Sequence, residues 1–188
     1  MIHSAMEPTT IVIIVAGVVI LLVIFLYNSL IRNRNQVKNS WAQIDVQLKR
    51  RNDMIPNLVE TVKGYMKHEK TVLENITKAR SAVLAAETVG QKSKASNMLS
   101  ETLKSLFAVS ENYPQLKANE NFLQLQEELT GTESKIAYAR QHYNDMVTAY
   151  GNSLETFPNN VFAKLFSFRK EDLFEAAAAE RKNVKVQF

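Results

Sequence analysis

Hydrophobic residues follow two patterns in this chain, one continuous run near its start and regular stripes after it. Residues 11–31 read IVIIVAGVVILLVIFLYNSLI and carry no charged side chain. A bilayer core is crossed by about 20 apolar residues of helix, and the absence of water there requires a hydrogen-bonded helix. The run therefore predicts a single transmembrane helix from Ile11 through Ile20 to Ile31. A buried core helix is the disfavoured alternative, because the run is apolar on every face.

Beyond this run, apolar residues recur at intervals of three and four, which predicts amphipathic helices. No window alternates apolar and polar residues over the length of a strand before the last few residues. The part of the chain after residue 31 is therefore predicted to be all-helical. The first stripe comprises Val37, Trp41, Ile44, Leu48, Ile55, Leu58, Val62 and Tyr65, and the last comprises Phe122, Leu125, Leu129, Thr132, Ile136, Ala139, Tyr143, Met146 and Tyr150.

Glycine and proline indicate where the predicted helices end. The stripe leaves two alternatives open: either one helix continues to Glu87, or the chain turns near residues 64–68 and restarts at Glu69. The next helix is expected over residues 91–112, with Pro114 ending it. Asn119 or Asn121 is expected to cap the last long helix.

The residues flanking the apolar run predict its orientation in the membrane. Arg32, Arg34 and Lys38 follow the run closely, and Met1 to Thr10 contain no Lys or Arg. The positive-inside rule then places the N-terminus outside and the main domain in the cytoplasm. The run is longer than the apolar core of a signal peptide and lacks a small-residue cleavage pattern at its end, which favours an uncleaved anchor.

Composition and motifs give no indication of an enzyme. The chain has no cysteine, which excludes a disulfide framework, a thiolate metal site and a cysteine nucleophile. His68 and Glu69 resemble the start of a zinc-protease motif, but Val72 stands where the second histidine is needed. The formal net charge of +4 is spread along the chain and predicts no nucleic-acid partner. We expect no catalytic residue, no cofactor and no metal.

Four residues are candidates for an interface. Arg51 belongs to the basic run at residues 49–51 and also falls within the first apolar stripe. It is expected to pair with a carboxylate across the helices, and binding of phosphate or an acidic partner is the alternative. Trp41 is a core or interface residue on the same stripe. Gly131 and Thr132 make a small spot where a neighbour could approach closely.

Three segments make the sequence recognisable: NSWAQIDVQLKRRNDMIPNLVETVKGYMKHE at residues 39–69, YPQLKANENFLQLQEELTGTESKIAYARQHYN at residues 113–144 and FPNNVFAKLFSF at residues 157–168. The chain resembles the LemA family over nearly its whole length. The resemblance implies an antiparallel up-and-down four-helix bundle, a short outside N-terminus and a cytoplasmic domain. It favours the turn near His68. It also implies a role in envelope maintenance beside a membrane protease.

In such a bundle the fourth helix returns to the membrane and is followed by an aromatic and basic segment. Its apolar residues are Phe157, Val161, Phe162, Leu165, Phe166 and Phe168. Such a composition suits a short amphipathic helix in the membrane interface, capped by Asn159 or Asn160. The alternatives are a plug closing the bundle end or a contact with another subunit. Residues 171–181 are expected to be helical, and residues 183–188 to form a tail.

These expectations divide the chain into an extracytoplasmic N-terminus at residues 1–10, the transmembrane helix at 11–31, a cytoplasmic helical bundle at 32–156, and the amphipathic segment and tail at 157–188. The expected function is that of a non-enzymatic, homo-oligomeric scaffold, anchored in the bacterial cytoplasmic membrane, that organises proteins or lipid at the cytoplasmic face. Its expected partners are membrane lipid and further copies of itself. An adaptor for a membrane protease in envelope stress or quality control is the alternative, and an enzyme of unknown class is the distant one.

Overall fold

A computed structural model describes residues 7–175, and within them it contains six helices and no strand. The prediction of an all-helical chain is confirmed for these residues. Contacts divide these residues into two compact units, one of residues 7–39 and 145–171 and the other of residues 40–144 and 172–175. The helices are α1 (Pro8–Lys63), α2 (Lys70–Ala85), α3 (Val89–Ser110), α4 (Pro114–Lys117), α5 (Glu120–Glu155) and α6 (Asn159–Leu165).

Helix α1 continues through Pro56. A proline has no amide hydrogen, so the carbonyl one turn earlier loses its usual partner. That carbonyl belongs to Asn52, and the Arg80 side chain of α2 donates a hydrogen bond to it at 3.2 Å. An unpaired carbonyl in this position is costly. Arg80 therefore compensates for the proline and permits an unbroken helix.

The chain turns between α1 and α2, which decides between the two alternatives for this region. Helix α1 ends at Lys63 and α2 begins at Lys70, so the break near residues 64–68 is confirmed. The assignment of Tyr65 to the first stripe is wrong, because Tyr65 is 37% exposed whereas its neighbour Met66 is fully buried. Because α1 ends at Lys63, Tyr65 lies in the turn, and its side chain no longer follows the helical period.

Helix α3 begins two residues before its predicted start. The Thr88 hydroxyl accepts a hydrogen bond from the Gln91 amide at 3.2 Å, and the Gln91 side chain accepts one from the Thr88 amide. This reciprocal capping box fixes the helix start. Helix α3 ends at Ser110, and Pro114 opens the short helix α4 rather than ending α3. A proline is well accommodated in a first helical turn.

Helix α5 begins as predicted. The Asn119 side chain accepts a hydrogen bond from the Phe122 amide at 3.0 Å, so Asn119 is the cap. The predicted stripe of α5 is buried or half-buried along its whole length.

The second unit has one continuous core, to which α1, α2, α3, α4 and α5 all contribute. Burial of these apolar side chains is the main stabilising contribution. The buried members are Ile55, Leu58, Val62, Met66, Ile76, Ala79, Val83, Ala95, Leu99, Leu103, Leu106, Leu116, Phe122 and Leu129.

Helix α6 belongs to the first unit and lies within the predicted amphipathic segment. Pro158 is its N-cap residue and no side chain caps it, so the prediction of an asparagine cap is wrong. Residues 171–175 of the predicted final helix are not helical. The remainder of that prediction, the tail at residues 183–188 and most of the N-terminal segment lie outside the described residues.

Candidate functional site

The N-terminal part of α1 presents an apolar surface. Within the described residues, α1 alone is long and apolar enough to cross a membrane. Ile11 is 45% exposed and Ile20 is 59% exposed. Burial begins at Leu26 and is complete at Leu30, and Ile31 is half-buried. The protein therefore leaves its most apolar residues uncovered and starts to pack only at the end of that run.

The three basic residues after the apolar run lie on the same helix, and all are exposed. They are Arg32, Arg34 and Lys38. Exposed cations directly beyond an uncovered apolar segment are typical of a helix that meets a membrane surface.

Aromatic residues join α6 to the end of the apolar run. The Tyr27 ring lies 5.0 Å from the Phe166 ring and 5.9 Å from the Phe168 ring, in edge-to-face arrangements that are favourable for aromatic pairs. Phe162 and Phe168 are half-buried. Phe166 stays partly exposed beside Tyr27, and the other exposed apolar residues of the segment are Phe157, Val161 and Leu165. The segment is thus held to α1 by some of its aromatic residues and presents the others outward.

Arg51 forms a buried polar cluster in the second unit. Its Nη1 donates to Glu133 Oε2 at 2.5 Å and to the Ser100 hydroxyl at 2.8 Å. Its Nη2 donates to the Ser96 hydroxyl at 2.8 Å. The Arg51 side chain is fully buried, whereas that of Glu133 is 39% exposed. This is the pairing with a carboxylate that the position of Arg51 in the stripe predicts.

The charge of Arg51 is thus only partly compensated. Burial lowers the pKa of its guanidinium, and Glu133 opposes that change. Its Nε has no hydrogen-bond partner in the part of the chain that the structure describes. Arginine stays protonated in proteins, so a full positive charge lies among the helices. Its donors are directed inward, which leaves Arg51 no exposed surface for an acidic partner.

Trp41 lies at the centre of an aromatic group in the second unit. Its ring is 5.4 Å from the ring of Tyr143 and 6.2 Å from that of Phe174. The Lys92 ammonium lies 5.5 Å from the indole centroid, close enough for a cation–π contact, and also pairs with Asp45. The predicted interface residue is therefore half-buried by neighbours from its own chain.

A segment without regular secondary structure, residues 172–175, which we call the latch, lies against this aromatic group. The Asn144 side chain accepts from the Phe174 amide at 2.9 Å and donates to the Phe174 carbonyl at 3.0 Å. Tyr143 donates to the Asp172 carbonyl at 2.7 Å. Phe174 itself is buried. A side-chain amide that pairs with both backbone groups of one residue imitates the pairing of two strands.

Helix α3 holds the other end of the latch. Ser93 donates to the Glu175 carbonyl at 2.7 Å, and Asn97 donates to the same oxygen at 3.3 Å. The residues that contact the latch, which we call the clamp, are Trp41, Ser93, Asn97, Tyr143 and Asn144.

Sequence reasoning missed the latch and most of its clamp. Trp41 and Tyr143 were recognisable from their stripes, but Ser93, Asn97 and Asn144 are ordinary polar residues of helices. Their partners are backbone groups about 30 and 80 residues away, which residue types do not reveal. The isolated Phe174 in a charged stretch was the one available signal.

Gly131 and Thr132 are neighbours on α5 and differ in exposure. Gly131 is exposed and Thr132 is buried. Apart from its two chain neighbours and the nearby backbone of its own helix, none of the described residues comes within 4 Å of the position that a Cβ of Gly131 would occupy. The surface around Gly131 is therefore open, and a role in an interface stays a prediction.

A shallow groove runs between α1 and α5 in the second unit, with a volume of about 600 Å³. Val46 is 62% exposed and Tyr138 is 75% exposed on its walls. His142 also lines it. Across residues 7–175, no cluster of three histidine, aspartate or glutamate side chains could hold a metal ion.

The fold and these surfaces define an all-helical protein with one apolar helix long enough to cross a membrane. The LemA family model matches residues 40–188, and the chain belongs to the LemA family. The chain is also 28% identical over 159 residues to the curated Protein LemA of Metamycoplasma hominis, a match that covers 84% of this chain and 72% of that protein. The family match begins after the apolar run.

Proposed function

We propose that the protein is a non-enzymatic scaffold, anchored in the bacterial cytoplasmic membrane, that organises proteins or lipid at the cytoplasmic face. The observation that carries the proposal is the uncovered apolar surface of α1, continued by the exposed apolar residues of α6. Exposed apolar patches of this extent mark contacts with a membrane or a partner.

The anchor is a single transmembrane helix over residues 11–31. Its support is the exposure of the apolar side chains from Ile11 to Phe25, which in water would be unfavourable. Arg32, Arg34 and Lys38 lie on the cytoplasmic side, and the N-terminus lies outside.

A second contact with lipid comes from α6. Tyr27 lies within the transmembrane run and contacts Phe166 and Phe168, so the segment lies at the depth where the helix leaves the bilayer. Phe157, Val161 and Leu165 then face outward at this level. Amphipathic aromatic segments are favoured in the interface, where apolar side chains reach the acyl region.

The cytoplasmic helices form an antiparallel up-and-down bundle of four. Parts of α1, α2, α3 and α5 share one core, and the connections between α1 and α2 and between α2 and α3 are short. Short connections favour antiparallel neighbours. The buried polar groups around Arg51, apart from its Nε, hydrogen-bond to each other, in keeping with a structural role. The scaffold acts as a homo-oligomer.

Depth measurements with single cysteines test the lipid contacts, because the chain has no cysteine of its own. Phe157→Cys and Tyr138→Cys variants of the full chain carry the same fluorescent label in liposomes that contain brominated lipid. We expect quenching of the label at residue 157 and none at residue 138, which is equally exposed but belongs to the second unit. Equal quenching at both positions would contradict the proposal.

Topology is tested with the same chemistry in intact bacteria. Thr9→Cys should react with a membrane-impermeant maleimide, and Tyr138→Cys should react only after lysis. The reverse pattern would place the main domain outside. Two results together would favour the adaptor function over the scaffold function. They are recovery of a stoichiometric membrane protease after crosslinking in cells and a monomeric mass in mild detergent.

A further inference from the structure

We propose that the latch is exchanged between two copies of the chain, so that the clamp of one copy binds residues 172–175 of the other. This inference rests on the homo-oligomer of the proposed function and names the contact that forms it. The partner is a second copy, because the one peptide that the structure shows to fit the clamp is the chain's own.

The clamp recognises the latch through its backbone. Five hydrogen bonds join Ser93, Asn97, Tyr143 and Asn144 to main-chain groups of Asp172, Phe174 and Glu175. Phe174 adds one buried side chain. An identical segment from another copy reproduces every one of these contacts. Exchange of an identical element is a low-cost route to a dimer.

The latch can separate from the clamp without disturbing the helices. Within residues 169–175, Phe174 is the buried side chain, and the others are exposed. Leu173, its direct neighbour, is 50% exposed. Segments with few buried apolar contacts open at a small fraction of the cost of global unfolding. The latch is therefore available for binding elsewhere while the core of the second unit stays intact.

The loop before the latch is strained. Ser167, which lies between α6 and the latch, has a φ of 57°, in the left-handed region that disfavours side chains. Strained hinge loops next to a separable element favour exchange of that element. Anchoring in a membrane also confines the copies to a surface, which raises their effective concentration.

Crosslinking between two differently tagged full chains tests the exchange. One chain carries Asn97→Cys and the other Glu175→Cys, and both are co-expressed so that they share a membrane. The Asn97 Nδ2 and the Glu175 carbonyl oxygen are 3.3 Å apart, so a short bis-maleimide spans them. We expect a product that carries both tags. Its absence, while a chain with both substitutions crosslinks internally, would overturn the proposal.

Matched variants separate exchange from random collision. Glu101→Cys lies one turn further along α3 and is exposed, so replacing Asn97→Cys by it should lower the yield several-fold. Phe174→Asp in the Glu175→Cys chain should remove the product, whereas Leu173→Asp should leave it. Equal yields from all these pairs would show collision and overturn the exchange. The main comparison uses the native Phe174, so it does not depend on how the Phe174→Asp chain folds.

The mass of the full chain in mild detergent distinguishes the two proposals. An oligomeric mass without the doubly tagged product overturns the exchange and leaves the scaffold intact. A monomeric mass without the product overturns both. An oligomeric mass with the product supports both.

Discussion

Arg51 and Glu133 form an ion pair in which one partner is buried and the other reaches water. Their contact is 2.5 Å, with the Arg51 side chain fully buried and that of Glu133 39% exposed. Removing one partner of an ion pair is costly when the charge left behind is buried and uncompensated, and less so when that charge can be hydrated. The pair is therefore expected to respond differently to substitution at its two ends.

Glu133→Leu is expected to destabilise the protein by about 3 kcal/mol, because it leaves the buried Arg51 without its counter-charge. Arg51→Met is expected to change stability by no more than about 1 kcal/mol, because Glu133 can be hydrated and Ser100 already donates to the Ser96 carbonyl. Thermal unfolding of the full chain in detergent, followed by circular dichroism, gives both values.

Glu128→Leu is the matched control for Glu133→Leu. Glu128 lies on α5, as Glu133 does, and its exposed carboxylate contacts Arg50 at 3.6 Å. Exposed pairs contribute little, so its effect should stay below about 1 kcal/mol. A larger cost for Arg51→Met than for Glu133→Leu would contradict the expected asymmetry.

The pairing of Arg51 could be expected from the sequence, because a charged residue in an apolar stripe requires a partner. The identity of that partner could not, since many carboxylates lie on neighbouring helices and their register is set by packing. The same limit applies to Pro56. The sequence shows that Asn52 loses its helical donor, but not that Arg80 of α2 replaces it.

Arg80→Met is expected to destabilise the protein by about 1 kcal/mol, the usual contribution of one hydrogen bond. The reason is that the Asn52 carbonyl, which Pro56 leaves free, loses its donor. In a Pro56→Ala background the restored amide hydrogen binds that carbonyl, so the same substitution should then cost less. A double-mutant cycle of unfolding free energies measures this coupling.

Lys78→Met, an exposed change on the same helix, is the control for Arg80→Met and should have no coupling to Pro56. An equal cost of Arg80→Met in both backgrounds would show that its contribution does not come from the Asn52 carbonyl.

Tyr150 is expected to lower the stability of the folded protein at alkaline pH. Burial raises the pKa of its phenol, Arg34 opposes that rise and Glu171 adds to it. The unfolded chain ionises this phenol above a pH of about 10, whereas the folded protein keeps it neutral. The folded state then binds more protons, so stability falls as the pH rises beyond that value.

Tyr150→Phe should therefore flatten the loss of stability above a pH of about 10. It should also be neutral or slightly stabilising at neutral pH, because the hydroxyl has no hydrogen-bond partner among residues 7–175. Melting temperatures measured across this range check both effects. Tyr138→Phe, on an exposed side chain, should leave the profile unchanged. A steeper alkaline loss in Tyr150→Phe would contradict the argument.

Ser167 follows the C-cap residue of α6, a position that is usually occupied by glycine. The Phe168 amide donates to the Ala163 carbonyl at 2.9 Å and the Ser167 amide to the Lys164 carbonyl at 3.2 Å, which is the Schellman pattern. The left-handed conformation that this pattern requires at Ser167 costs about 1 kcal/mol for a residue with a side chain. Ser167→Gly is therefore expected to stabilise the first unit by about 0.5 to 1 kcal/mol.

Ser105→Gly, on the exposed face of α3, is the control. Its effect on stability should have the opposite sign and a similar size, since glycine weakens a helix interior. Melting temperatures of the two variants, compared with the unmodified chain, should move in opposite directions. A decrease in both would show that the cost of glycine's freedom in the unfolded chain exceeds the strain at Ser167.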